Sequence, residues 1–169
     1  MADKAFIKLG EKEVELPIYV GTEGEESIDI NKLRDLTGFV TLDSGYKNTG
    51  ATKSGITFLD GELGILRYRG YPIEQLAEKS NFMEVAYLLL YGELPTNDQF
   101  VDFTDRITHH TLVHEDVKQF FDGFPSNAHP MGQLCSLMCT LSSFYPDSLN
   151  PNMSKEATDL TIIRILAKM

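Results

Sequence analysis

The chain has 169 residues, 42% of them apolar and 24% charged, the balance of a soluble globular protein with enough chain to bury a core. Twenty-five acidic side chains against 15 basic ones leave a net charge of −10, which argues against a nucleic-acid partner, because phosphates are repelled without a compensating basic patch and none is visible. No stretch approaches the ~20 apolar residues that span a bilayer, and Met1-Ala2-Asp3-Lys4 leads into no secretory apolar segment, so the expectation is no membrane partner and a cytoplasmic location.

Two short alternating runs, Ala5–Leu9 and Val14–Leu16, flank the polar Gly10-Glu11-Lys12-Glu13 and predict a small hairpin. Ser27–Ile30 predicts a further strand and Asn31–Leu36 a helical turn. Residues 37–55, rich in Gly, Thr, Ser and Asn, carry little apolar surface and predict an extended loop. Ile56–Leu59 and Ile65–Arg69 form the arms of a second hairpin. Between them, Asp60-Gly61-Glu62-Leu63-Gly64 supplies the side-chain acceptor and the glycines that a bulged turn needs. At Gly70-Tyr71-Pro72 the period changes, and proline opens a helix through Leu76 and Ala77. Asn81-Phe82-Met83-Glu84 has the form of a capping box, leading a helix with Val85, Leu88 and Leu89 on one face and Gly92 as its left-handed stop.

Beyond Pro95 every periodic segment is helical. Thr96–Gln99 is a second capping box ahead of Phe100, Phe103 and Ile107, and Val117, Phe120, Phe121 and Phe124 fall on one helical face ended by Gly123 and Pro125. Met131–Tyr145 has no charged residue, is too short to cross a membrane, and predicts a helix buried among helices. Ser154 is the expected N-cap of a last helix carrying Leu160, Ile163 and Ala167. That helix runs to Met169 without a polar stop, so the sequence reads as part of a longer protein. The fold expected is mainly α, about six helices, with a small β-rich region over residues 1–70 and the first helices of a larger α-helical domain over 71–169.

Self-contained chemistry is not assembled. Cys135 and Cys139, four apart, read as buried thiols rather than a disulfide or metal pair. His110 and His114 have the spacing of a two-histidine metal pair, but Glu115 follows them instead of standing between them. An interhelical loop whose imidazoles cap helix ends or face solvent accounts for them better, and His129-Pro130 reads as a structural corner. No serine sits on a nucleophile elbow, and Gly61–Gly64 belongs to a hairpin rather than a phosphate loop.

The run Asp60-Gly61, Gly64-Ile65-Leu66, Tyr68-Arg69-Gly70 and Pro72-Ile73-Glu74, continued through His129-Pro130-Met131, resembles the N-terminal part of bacterial citrate synthases. Each piece alone is weak, but the combination is specific. The resemblance implies an enzyme, an acyltransferase that condenses acetyl-CoA with oxaloacetate and hydrolyses citryl-CoA. An aspartate removes the acetyl proton, histidines polarise the carbonyls, and arginines bind the dicarboxylate. No position here matches those groups, so the chain supplies no catalytic residue, and the resemblance places them in polypeptide beyond Met169. It implies no resident cofactor or metal, and a dimer or hexamer as the assembly. A synthase for 2-methylcitrate, using propionyl-CoA, and a helical assembly module without chemistry are the alternatives. In the large hexameric branch NADH inhibits at a separate site. By resemblance its residues would be His109, His110, Thr111, Tyr145, Arg164 and Lys168 here. Position 109 departs from the family's Arg-His-Thr, placing an imidazole where a permanent cation would stand.

Overall fold

Two units divide between Ser54 and Gly55 in the computed structural model, which describes residues 4–169. In the first, β1 (Lys4–Leu9) pairs antiparallel with β2 (Lys12–Val20), and β2 pairs with β3 (Glu26–Ile28). The alternation read from the sequence is realised in β2, where Leu16 is buried while Glu15 and Pro17 on either side are exposed. Helix α1 (Leu33–Thr37) lies against β2 and buries Leu33 and Thr37. The Thr37 hydroxyl is satisfied by the Leu33 carbonyl at 2.6 Å, and the Lys12 ammonium reaches the Thr37 carbonyl at 3.1 Å. Between α1 and Thr57 the described chain forms neither helix nor strand. Asp43 organises part of this segment, accepting from the amides of Lys47 and Asn48 and the hydroxyl of Thr49 at 2.8–3.1 Å.

The second unit opens with β4 (Thr57–Asp60) and β5 (Ile65–Tyr68), joined as the sequence predicts. Asp60 Oδ1 accepts from the amides of Glu62 and Leu63, and Gly64 takes the left-handed φ of 67°. Strand β6 (Tyr71–Pro72) adds to β5 and passes into α2 (Ile73–Lys79), with Pro72 as the N-cap. The hairpin, placed in the sequence reading with the β-rich region before residue 71, belongs to the same compact unit as the helices.

Arg69 explains how that hairpin is held. Its backbone adopts φ 50°, a left-handed conformation that costs an L-residue about 1 kcal/mol. The conformation aims the guanidinium at the Leu89 carbonyl, 2.8 Å away, and the Gly55 carbonyl, 3.2 Å away. Leu89 lies in the last turn of α3 (Phe82–Tyr91), where carbonyls lack helical partners and the dipole favours a cation.

Both capping boxes form. Asn81 and Glu84 exchange side-chain-to-backbone bonds at the start of α3, as do Thr96 and Gln99 at the start of α4 (Asn97–Thr108). Gly92 terminates α3 at φ 97°. Helix α5 (Glu115–Asp122) is followed by α6 (Pro130–Phe144), a 3-10 turn (Pro146–Leu149) and α7 (Lys155–Lys168), the last capped by Ser154. Two apolar clusters result. Phe103 and Ile107 of α4 and Ile163 of α7 form one, with Met83, Ala86 and Tyr87 of α3 packed on it. Val117 of α5 with Leu137 and Leu141 of α6 forms the other.

The aromatic face expected on α5 is only partly buried. Val117 is 1% exposed, whereas Phe120 and Phe121 are 40% and 41% exposed and pack on Phe124 instead. On α6, Leu137 and Leu141 are buried but Cys135 and Cys139 are exposed, which corrects the expectation of buried thiols. Their spacing places them together on the face away from Val117, while Leu137 and Leu141, with Met138 and Phe144 packed beside them, build the cluster.

Replacing Leu88, which has no exposed surface, by alanine should cost about 2–5 kcal/mol of stability. Asn81→Ala, which removes half of a cap, should cost about 1 kcal/mol. Urea denaturation of both variants checks the order, and a Leu88→Ala loss no larger than that of Asn81→Ala would contradict the packing described.

Candidate functional site

Arg164 and Lys168 are four apart on α7, so they project from one face of the helix. Both stand over the ring of Tyr145, which follows α6 directly. The Arg164 guanidinium carbon and the Lys168 ammonium are each 5.3 Å from the ring centroid. The Lys168 ammonium also donates to the backbone carbonyl of His110, just past the end of α4. A cation there meets the negative end of the helix dipole. Four of the six residues singled out in the sequence therefore converge: His110, Tyr145, Arg164 and Lys168.

The other two do not join them through their side chains. His109 turns back on its own helix, its Nδ1 lying 2.8 Å from the Asp105 carbonyl and 3.2 Å from the Asp105 carboxylate. Thr111 donates to the Thr108 carbonyl at 3.0 Å. The His110 ring likewise bonds the Arg106 carbonyl at 2.7 Å, so His110 takes part in the cluster by its backbone. Chemically the cluster offers two permanent cations and an aromatic face, suited to holding an anion beside a planar group; it holds no base or nucleophile.

A second polar centre escaped the sequence reading. Asp159 of α7 accepts from the Tyr91 hydroxyl at the end of α3 and from the Arg106 guanidinium of α4, the latter at 2.5 Å. Three residues separated by up to 68 positions meet here, and no local pattern announces them. Around them lies an open cavity of about 400 Å³, also lined by Gln99, Lys155 and Glu156. Burial, reinforced by the hydrogen bond to Asp159 and that residue's negative charge, pushes the Tyr91 phenol up to about 12. Burial works to raise the Asp159 carboxyl too, but the bonds from Tyr91 and Arg106 outweigh it and hold the group below the ordinary carboxylate value.

Among the described residues no group of three or more His, Cys, Asp or Glu side chains is placed to share a metal ion. His110 and His114, the spaced pair, bond the backbone at different helix ends, His110 on α4 and His114 as the N-cap of α5. No helix among the described residues is long and apolar enough to cross a membrane.

The sequence profile of the family described as citrate synthase, C-terminal domain, matches residues 45–169. The chain belongs to the citrate synthase family. It is similar to citrate synthase 1 of Mycobacterium tuberculosis, with 53% identity over 167 residues that cover 99% of this chain and 38% of the relative. A citrate synthase of Corynebacterium glutamicum is 46% identical, with the same coverage. The chain thus spans 38% of the length of these relatives. Among solved structures, the citrate synthase of Thermotoga maritima superposes with a TM-score of 0.61 at 29% identity, over 76% of this chain and 32% of that one. That of Pyrobaculum aerophilum gives 0.62 at 26% identity, over 89% and 35%. The Thermoplasma acidophilum citrate synthase, solved as a ternary complex with carboxymethyl coenzyme A and oxaloacetate, gives 0.66 at 19% identity over 76% and 33%. The mainly α citrate synthase-like fold expected from the sequence is therefore the fold observed, with six helices following the second hairpin.

The pH response of the Asp159 centre has a definite sign. With its folded pKa depressed, Asp159 contributes stability above the ordinary carboxylate value of 3.8 and loses it as pH falls through the lowered folded value. With its pKa raised, Tyr91 contributes fully below pH 10 and loses its contribution as pH climbs towards about 12. Asp159→Asn should lower neutral stability and flatten the acid limb of the stability profile. A variant whose acid limb matches the parent would contradict this.

Proposed function

We propose that this chain is part of a citrate synthase that condenses acetyl-CoA with oxaloacetate, releasing citrate and CoA at entry to the tricarboxylic acid cycle. The observation that carries the reading is identity of 53% sustained over 99% of the chain with the Mycobacterium tuberculosis relative. The contribution of these residues is scaffold: a hairpin clamped to α3 by Arg69, and helices that offer no acid–base pair of their own. A protein of the relatives' length should act as a cytoplasmic homo-oligomer, a dimer or a trimer of dimers. This chain alone should release no CoA from acetyl-CoA and oxaloacetate, whereas the chain extended to the relatives' length should. Following free thiol in both preparations decides the matter, and turnover by the 169-residue chain would overturn the assignment.

The cluster of Tyr145, Arg164, Lys168 and the His110 backbone is the proposed effector site for NADH. Supporting it are two permanent cations one helical turn apart, suited to a pyrophosphate through charge-assisted bonds, and an aromatic face beside them. His109 adds no permanent charge, and its ring is engaged with Asp105. Fluorescence titration of the extended protein with NADH should saturate, and Arg164→Ala should weaken it at least about tenfold, the loss of one charge-assisted contact. A titration without saturation would dispose of the site.

A further inference from the structure

All four histidines bond backbone groups at helix ends through Nδ1, but with opposite polarity. At the C-terminal end of α4, Nδ1 of His109 and of His110 faces the carbonyls of Asp105 and Arg106 at 2.8 and 2.7 Å. A carbonyl only accepts, so these nitrogens carry the proton. A second proton on Nε2 leaves both bonds intact and adds positive charge where the helix dipole welcomes it. At the N-terminal ends of α5 and α6 the arrangement is reversed. Nδ1 of His114 accepts from the Asp116 amide, and Nδ1 of His129 from the Met131 amide, each at 3.2 Å. These nitrogens must be bare. Protonation turns the acceptor into a donor, breaks the cap and sets a cation against the positive end of the helix.

His114 has a fallback. The Asp116 carboxylate lies 3.4 Å from its Nδ1 and can receive the new proton's bond, while the neighbouring Glu115 pairs with Lys118. From α6 it meets the ring of Phe144, 5.0 Å between centroids. His129 has none. Residues 123–146 contain no Asp, Glu, Lys or Arg. The elements packed most closely on α6 are α5, with Glu115, Asp116, Lys118 and Asp122, and the 3-10 turn, with Asp147. Among the described residues none of those groups forms an ion pair with His129. Pro130 supplies no amide, so the Met131 N–H is the first donor of α6 and His129 is its side-chain cap.

We propose that His129 is a pH-dependent N-cap that releases the first turn of α6 when its ring is protonated, while the end of α4 stays closed. Histidine is the side chain whose unperturbed charge change falls between about pH 5 and 8, which makes it the natural residue for such a cap.

Amide hydrogen exchange of the chain, resolved by NMR and corrected for intrinsic rates, reads the cap directly. Protection of Met131–Gln133 should fall about fivefold between pH 7.5 and pH 5.0, the loss of one cap. In His129→Asn, an acceptor that does not titrate, it should not change with pH. Equal protection of the parent at both pH values, or the same fall in His129→Asn, would overturn the proposal. Ring nitrogen shifts give a second reading that needs no variant. At pH 7.5 His129 should carry its proton on Nε2, and a proton on Nδ1 would refute the cap.

Discussion

The helical unit depends on α7, because it is the element that engages both apolar clusters. Ile163, with no exposed surface, closes the cluster of Phe103 and Ile107. One position on, Arg164 reaches Tyr145, which packs on the other cluster with Val117, Leu137 and Leu141. Asp159 draws α3 and α4 to the same helix through Tyr91 and Arg106, and Lys168 binds the end of α4. The apolar contact supplies most of the stabilisation, roughly 2–5 kcal/mol for one buried aliphatic side chain. The polar ties, partly exposed and individually weaker, set the register in which that contact is made.

Most of this architecture was legible in the chain because its signals are local. Capping boxes at Asn81 and Thr96, the Asx turn at Asp60, the left-handed Gly92 and the serine cap at Ser154 all span four residues or fewer, and each was realised. What depended on distant residues was not legible. The Tyr91–Arg106–Asp159 centre joins three helices, and nothing near any of the three marks it. Burial on α5 and α6 was overread for the same reason. Periodicity says that Phe120, Phe121 and the two cysteines share faces, but not which of those faces another helix covers.

The candidate site was half legible. Tyr145, Arg164, Lys168 and the His110 carbonyl lie together, whereas the His109 ring turns to Asp105. A histidine at the end of a helix, one turn beyond a carboxylate, satisfies its ring locally before reaching across to another helix. The same preference for nearby backbone governs the other histidines. It makes them structural members of helix ends.

The claim that α7 holds the two clusters as one body is open to a direct test by hydrogen exchange on Ile163→Ala. The substitution removes apolar contact within the cluster of Phe103 and Ile107 and leaves the cluster of Val117, Leu137 and Leu141 untouched. If α7 couples the clusters, protection should fall in α4 and also in α6, where Tyr145 loses its hold on Arg164 and Lys168. A fall confined to α4, with α6 unchanged, would show that the two clusters stand independently and contradict the account.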